Sequence, residues 1–523
     1  MDDKSQTFGY KFSKVKIPTV AIRNSYCSLE NFPQLVIDEV KSALTYKDEE
    51  VTQKKIQVLR NLKLSHAARK SGGASGFLGR KLAESGSSIE SHISQLKAQL
   101  FRLEKEEMTC LLLPDGRFPT GLLGIVKEVL SHSKSLVNYD TQDLRVRPDS
   151  EYRFKWKREP HEMRYYQQDM AGIAEAQERG VFESCVGSGK TLVMLNIVKN
   201  KRVTTLIVEP SLPLISQTKK ILESAFGKSF IEVITTVNAK KKKKFKPIRL
   251  VTVQTLASLL NQNLLSRVLG DVQLLLLDEF HHAASNSYTE LLPQIQHIYY
   301  RYGFTGTFLR NDCKTLDLWG VLSQRLYHYP PYKAIEEGFI TPVEFKIHKL
   351  PGINRMNYQK EYEANYCGSA AILKEIHKII QEILPNEQIL VLVDRKDKSG
   401  LLIHEYLENR SIANSYVSGD DKKGVVNSAI EEFNSHKIRI LIGSTVLGEG
   451  MDIQSTQHLI LATGGKSEIK IVQAIGRGVR LHPGKTRAFV HDFLFEGTRF
   501  LERHLEQRLA IYANQFAGEV KYV

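Results

Sequence analysis

A short apolar run, VFES, leads into CVGSGKT, and a helical stretch, TLVMLNIVK, leads out of it. This succession of strand, glycine-rich loop and helix constrains the fold more than any other feature of the chain. The loop has to hand the backbone from a buried strand to a covering helix, and a parallel α/β sheet is built from that unit. The surrounding sequence repeats the alternation. VFESC, TTLIVEP, IRLVTVQT, QLLLLDEF and YYRYGFTGT are apolar enough for burial on both faces, and helical stretches separate them. A second set follows Thr341: PVEFKIHKL, EQILVLVDRK, SIANSYVS, IRILIGST, QHLILAT and TRAFVHDF. The spacing predicts two parallel-sheet units in tandem, joined near Gly338–Pro342.

A chain of 523 residues exceeds one ordinary core. The boundaries read as 1–150 for an N-terminal accessory domain, 151–340 for the first sheet unit and 341–523 for the second. In the accessory region KVKIPTVAI (Lys14–Ile22) reads as a strand. LENFPQLVIDEVKSAL (Leu29–Leu44) reads as a mostly helical stretch interrupted by Pro33. Residues 51–100 hold nine Lys/Arg against two Asp/Glu. Two helical stretches there, VTQKKIQVLRNLKL and SIESHISQLKAQLFRLEKEEM, flank the break SGGASG. Ile89, Ile93, Leu96, Leu100 and Leu103 fall on one helix face. The pattern predicts a basic helical hairpin at about 51–105, inserted into a small α/β domain. A poorly ordered surface insertion is the plainer alternative.

The formal charge of +15 points to a polyanionic partner, nucleic acid above all. Cys27, Cys110, Cys185, Cys313 and Cys367 have neither metal-ligand spacing nor a disulfide framework, which suits a reducing cytoplasm. No apolar run approaches the roughly 20 residues of a membrane span, and MDDKSQTFGYKF lacks the apolar core of a signal peptide. The expectation is a protein with no membrane partner, working as a single chain.

The loop Ser184, Cys185, Val186, Gly187, Ser188, Gly189, Lys190 and Thr191 is a phosphate cradle by composition. Glycines let backbone N–H groups approach phosphate, and the following helix N-terminus adds positive potential. Lys190 would bridge the β- and γ-phosphates of ATP, and the Thr191 hydroxyl would hold Mg²⁺. The strict pattern has glycine at position 184; here it is serine. DEFHH (Asp278–His282) follows the buried run QLLLL, which carries its carboxylates to the sheet edge. Asp278 would contact Mg²⁺ through water, and Glu279 would orient the attacking water. His281 reads as a link toward the other sheet unit, not as a zinc ligand. In QAIGRGVR, Gln473, Arg477 and Arg480 are spaced for one helix face, and planar guanidinium groups suit a γ-phosphate. An ordinary exposed basic helix is the alternative. In STVLGEGMDI, Gly448 and Gly450 suit a tight loop near phosphate, and Asp452 suits a hydrogen bond to ribose. The run AKKKKKFK (Ala239–Lys246) reads as a solvated loop or as a phosphate contact.

In this order SCVGSGKT, DEFHH, TGT (Thr305–Thr307) and QAIGRGVR resemble the motif series of superfamily two DExH helicases, over roughly residues 160–515. The resemblance implies an ATPase motor of two tandem RecA-like lobes, with ATP and Mg²⁺ in the first lobe and arginines supplied by the second. RYYQQDMA (Arg164–Ala171) is similar to the adenine-reading motif of that superfamily, which assigns Gln167 to the adenine edge and Arg164 to the base face. VEPSLPLISQ and TVQTL are similar to motifs that grip the nucleic-acid backbone, and Thr305–Thr307 to the motif coupling hydrolysis to lobe movement. TGTFLR departs from the commoner TATP form. FPTGLLGIVKEVL and the terminal EQRLAIYANQFAGEVKYV, the latter read as a helix, are similar to segments of phage UvsW-type recombination-repair helicases. The basic insertion departs from that pattern. The implied function is an ATP-dependent DNA helicase or translocase acting on forks and junctions. An RNA helicase of the same superfamily and a non-unwinding ATP-gated clamp are the alternatives, because motor motifs touch mainly sugar-phosphate.

Overall fold

The computed structural model describes residues 17–47, 89–106, 108–136, 138–280, 292–306, 315–394, 396–418, 420–444, 456–478 and 485–523, with further single positions between 52 and 65 and at 453, 481 and 482. The chain divides into two compact units. One comprises residues 1–149, 284–301 and 309–324; the other comprises 150–283, 302–308 and 325–523.

The first unit contains β1 (Thr19–Ile22), β2 (Tyr26–Glu30), β3 (Thr45–Lys47), β4 (Met108–Cys110), β5 (Arg117–Pro119) and β6 (Asp140–Asp143). Its four-stranded sheet has the order β5-β2-β1-β6, with β6 parallel to β1 and the other pairs antiparallel. The strand expected from Lys14 begins only at Thr19 within the described residues. The stretch from Leu29 splits in two. Leu29 and Glu30 finish β2, and the helix runs Gln34–Ala43. Pro33 caps that helix at φ −59°, ψ 146°. It opens the helix instead of interrupting it, because a missing N–H costs nothing where the first turn has no acceptor.

β3 and β4 form a separate antiparallel ladder, and the helix Ile89–Glu106 leads into β4. Leu96 on this helix is buried with Val58, and Leu62 and Leu100 pack against them, so the inserted stretch has a small apolar seam of its own. SGGASG lies outside the described residues. The unit's main core joins Val20, Phe118, Leu122 and Val126 with Leu316 and Trp319, which come from the helix Thr315–Leu322. Approach there is close: a Cβ on Gly121 would lie 1.7 Å from the Trp319 carbonyl oxygen. Arg301, fully buried, donates to Ser25 Oγ at 2.7 Å and to the Ile295 carbonyl at 2.8 Å. Residues far beyond position 150 thus complete this core.

The second unit holds two seven-stranded sheets. β7 (Arg179–Ser184), β8 (Thr205–Glu209), β9 (Ile231–Val233), β10 (Ile248–Thr252), β11 (Leu274–Asp278), β12 (Tyr300–Thr305) and β13 (Arg325–Tyr329) make the first, in the order β13-β7-β12-β11-β8-β10-β9. β14 (Val343–Pro351), β15 (Ile389–Val393), β16 (Ser415–Val417), β17 (Ile440–Gly443), β18 (His458–Ala462), β19 (Ala488–Glu496) and β20 (Glu519–Tyr522) make the second, in the order β16-β17-β15-β18-β19-β14-β20. The central strands are buried along their length, as the apolar runs require. These are two RecA-like parallel lobes with a small α/β region before them.

β9, β13 and β20 are not legible in the sequence; β13 and β20 are edge strands of mixed polarity. The chain end differs from the expected single helix. The helix Phe500–Ile511 loosens into wider turns at Tyr512–Phe516, and Ala517 turns left-handed at φ +47°. The chain then closes as β20 against β14. Among the described residues no helix is long and apolar enough to cross a membrane.

Candidate functional site

The glycine-rich loop leaves β7 and enters the helix Lys190–Lys201. Gly187 and Gly189 have φ +85° and +78°, a left-handed region that only glycine enters without strain. A Cβ on Gly189 would also meet Gln167 Nε2 at 2.4 Å. Ser184 is fully buried, and its Oγ accepts from Ser188 Oγ at 2.9 Å. The serine in place of glycine therefore ties the two ends of the loop together. The Ser188 N–H donates to the Cys185 carbonyl at 3.2 Å, closing the turn. Val186, Gly187 and Gly189 remain at least partly open to solvent. Burial pushes the Cys185 thiol up to about 12, so it packs as an inert side chain. The described cysteines Cys27, Cys110, Cys185 and Cys367 are all free thiols.

Lys190 Nζ lies 3.1 Å from Glu279 Oε1 and 3.4 Å from the Ser184 carbonyl. The Gly306 N–H donates to Glu279 Oε2 at 3.3 Å, so TGT and DEFHH meet at this carboxylate. Glu279 itself has φ +43°, a strained setting for a side chain with a Cβ. Its N–H donates to Asp278 Oδ1 at 3.0 Å. Burial, then the neighbouring Glu279, push Asp278 up to about 7 against the pull of Lys190. Lys190 is held above its usual value: burial opposes its charge, and Glu279 and Asp278 more than offset that. Two adjacent carboxylates and a lysine beside an open, glycine-lined loop fit a divalent cation with phosphates.

Arg164 caps the helix Tyr165–Ala176. Its N–H donates to Gln167 Oε1 at 2.9 Å, and Gln167 Nε2 donates to the Ser188 carbonyl at 2.7 Å. The Arg164 side chain donates to Tyr166 Oη at 2.9 Å and lies over the Phe339 ring at 4.5 Å. Gln167 is thus buried against the loop, and both ends of its amide already have a protein partner. A cleft of about 610 Å³ opens beside the loop, lined by His161, Gly189, Thr191, Leu192, Leu195 and Ala225 among others.

The helix Glu468–Gly478 carries Gln473 and Arg477. A Cβ on Gly476 would lie 2.7 Å from Val186 Cβ, so this second-lobe helix packs directly against the glycine-rich loop of the first. Gln473 lines a cavity of about 220 Å³ with Asp394, Ser444, Thr463 and Lys470. Arg480, Gly448, Gly450, Asp452, Thr307 and His281 lie outside the described residues.

Sequence reasoning missed several residues here. Tyr166 stacks on Tyr329 with ring centroids 4.0 Å apart, and donates to the Ser188 carbonyl at 3.0 Å. Tyr329 and Tyr165 both donate to Glu337, at 2.6 Å each. The glycine-rich loop is thereby tied to the segment that leads out of the first lobe. Lys485 is buried and donates to the carbonyls of Gly478 and Thr456, holding the end of the arginine-bearing helix. Burial lowers it to about 7. Only the aromatic pair in RYYQQ gave a local hint of these contacts.

Residues 159–310 match the family described as type III restriction enzyme, res subunit, and residues 371–482 match the helicase conserved C-terminal domain. The chain is 22% identical over 416 residues to a protein provisionally designated helicase 22 of Sulfolobus islandicus filamentous virus, covering 74% of this chain and 72% of that one. It is 23% identical over 354 residues to the ATP-dependent DNA helicase uvsW of Enterobacteria phage T4, covering 64% and 68%. Among solved structures, Saccharomyces cerevisiae Dbp5 bound to RNA and ADP BeF3 is similar, with a TM-score of 0.50 at 15% identity, covering 69% of this chain and 89% of that one.

Proposed function

The chain belongs to the superfamily two helicases, nucleic-acid-stimulated ATPases, and from that premise we propose that it is a DNA translocase and helicase that remodels forks and junctions in recombination or repair. The observation that carries the motor reading is the packing of Gly476 against Val186, which brings an arginine-bearing helix onto a phosphate loop. The DNA reading draws on the net charge of +15 and on the named activity of the phage relative.

In this reading the backbone of Ser184–Thr191 cradles the phosphates of ATP, and Lys190 exchanges part of its ion pair with Glu279 for phosphate oxygens. Thr191 and Asp278 would hold Mg²⁺, which supplies charge neutralisation at the phosphoryl oxygens. Glu279, freed in part from Lys190, orients the attacking water. Gly306 senses that change through its bond to Glu279. Arg164 would face the adenine, and Gln167, buried with both ends of its amide bonded, would act by fixing the loop carbonyl of Ser188. Gly450 and Asp452 contribute to the nucleotide from the second lobe. Gln473, Arg477 and Arg480 complete the site when the lobes close, because hydrolysis develops charge that the first lobe alone leaves unbalanced. Residues 1–150 act as the accessory part, 151–340 as the ATP-binding lobe and 341–523 as the arginine-donating lobe. A single chain suffices for this cycle, and its free thiols suit a cytoplasm, that of the host if a phage encodes it.

The test is ATPase and strand displacement on forks, four-way junctions, linear duplexes and single strands, with matched RNA duplexes alongside. Preference for branched DNA is the expected result. Stronger stimulation by RNA duplexes would replace the DNA reading, and stimulated ATPase without displacement of any strand would favour an ATP-gated clamp.

A further inference from the structure

β8 ends in a carboxylate that the mechanism above does not use. β8 pairs with β11 through Val208 and Leu277, so Glu209 and Asp278 are the next residues on adjacent parallel strands. On its other side Glu209 pairs with Thr252 of β10. Glu209 is fully buried. Its Oε1 accepts from Thr218 Oγ1 at 2.7 Å, from the helix Leu212–Phe226. Its Oε2 is buried and has no hydrogen-bond partner.

A buried carboxylate with an unsatisfied oxygen lowers stability, and two further carboxylates beside it make the cost larger. Glu209 and Asp278 thus follow paired residues at the ends of neighbouring parallel strands, on one edge of the sheet. Lys190 Nζ lies 3.1 Å from Glu279 Oε1, so its ammonium is engaged there, while Oε2 of Glu209 has no partner. The spare buried acceptor, one strand away from Asp278, calls for a donor such as the water of a hydrated cation.

We propose that Glu209 is a third carboxylate of the metal–phosphate site, its free Oε2 accepting a hydrogen bond from a water on the divalent cation and Thr218 holding the carboxylate in that orientation. The proposal rests on the reading of Lys190 and Asp278 as the nucleotide–metal site. Glu209 is a positioning residue: it acts on the cation's water shell and not on the reacting phosphate. Partners of this kind typically change metal affinity by about 10–100-fold when removed.

The experiment is a titration of the full chain with Mn²⁺ and ADP, following free Mn²⁺ by its paramagnetic resonance signal, together with thermal unfolding without metal. Mn²⁺ prefers the same oxygen donors as Mg²⁺. E209Q keeps the shape and an acceptor for Thr218 but removes the charge. It should weaken Mn²⁺ binding at least about 10-fold while leaving the metal-free unfolding midpoint no lower. T218V should weaken Mn²⁺ by a smaller factor, and it carries the test should E209Q fail to fold. Unchanged Mn²⁺ affinity in both variants overturns this inference alone, and so does a lowered midpoint with unchanged affinity. Absence of ADP-dependent Mn²⁺ binding in the unaltered chain overturns the site reading beneath it as well.

Discussion

Counted from each sheet's own first strand, β7–β13 and β14–β20 run in one order: third, fourth, second, fifth, sixth, first, seventh for the second sheet, and seventh, first, sixth, fifth, second, fourth, third for the first. Both sheets therefore keep their second and fifth strands side by side at the centre, yet the two bury different charges. In the first lobe, β8 and β11 end in Glu209 and Asp278, and β7 ends in the glycine-rich loop. In the second lobe β14 runs on into GINRMN, which has no glycine–lysine pair. Its buried polar groups lie along the strands instead. Glu375 bonds His348 Nδ1 at 2.9 Å, and His348 Nε2 meets His491 Nδ1 at 2.9 Å. His491 Nε2 meets His458 Nδ1 at 3.1 Å, and His458 Nε2 reaches Glu387 at 3.1 Å. One sheet concentrates carboxylates at its ligand edge; the other threads imidazoles through its interior. Strand order fixes where a site can form, and the residues at the strand ends decide whether one does.

The sharpest way to break this comparison is to remove what the second lobe lends to the first. Arg477→Ala or Arg480→Ala should retain nucleotide binding and lose about 10³–10⁵-fold of DNA-stimulated turnover, and Lys should rescue poorly because it lacks the planar fork. Near-normal stimulated ATPase in both alanine variants would leave the second lobe with no role in the chemistry. Within the first lobe, Glu279→Gln should bind ATP yet hydrolyse it about 10²–10⁴-fold more slowly, whereas Lys190→Ala should lose productive binding. Ordinary turnover by Glu279→Gln would reassign the water-orienting residue.

A smaller effect separates the lobes by pH. Burial holds His348 and His491 below the usual imidazole range and lowers His458 to about 4. The unfolded chain then binds more protons than the folded one below about pH 6.5, so stability is present above that pH and is lost as pH falls toward 4. Each such group contributes up to about 1.4 kcal/mol per pH unit in that window. Thermal unfolding between pH 7.5 and 5 should show the second lobe as acid-labile, and His458→Gln should flatten the slope. Equal slopes in the two proteins would mean that the histidine chain does not control acid stability.

The smallest expected effect concerns the basic run at the edge of the first sheet. The helix Thr236–Lys241 carries part of it; Lys242 pairs with Glu232, and Arg267 donates to the carbonyls of Lys240 and Lys242. The run is therefore ordered, with Lys241, Lys243 and Lys244 exposed. Replacing Lys240–Lys244 with Gln should lower DNA affinity uniformly across sequences. It should also reduce the salt slope by about 0.7–0.9 for each phosphate that the run neutralises. An unchanged slope would make the run a solvated edge only.

Deletion of residues 1–150 would remove the packing partners of Leu316 and Trp319 and the Ser25 acceptor of Arg301. The ATP motifs all lie beyond Arg164, but the accessory core does not end where they begin.

Distance along the chain separates what the sequence by itself determined from what the fold decided. The phosphate loop is legible because strand, glycines, lysine and helix are neighbours, and φ at Gly187 and Gly189 follows from that local chemistry. Most lobe strands are legible because burial on both faces demands unbroken apolar runs. The role of Pro33 is ambiguous in the sequence because proline opens a helix as readily as it breaks one, and only the folded turn distinguishes the two. The short edge strands β13 and β20 escape a reading by pattern because an edge needs no apolar run. Only the tertiary structure could set Glu209 beside Asp278, Gly476 on Val186, or one histidine against another from strands far apart in the chain. In each case the two partners arrive on separate elements. Their proximity is a consequence of strand order and packing, which no local pattern encodes.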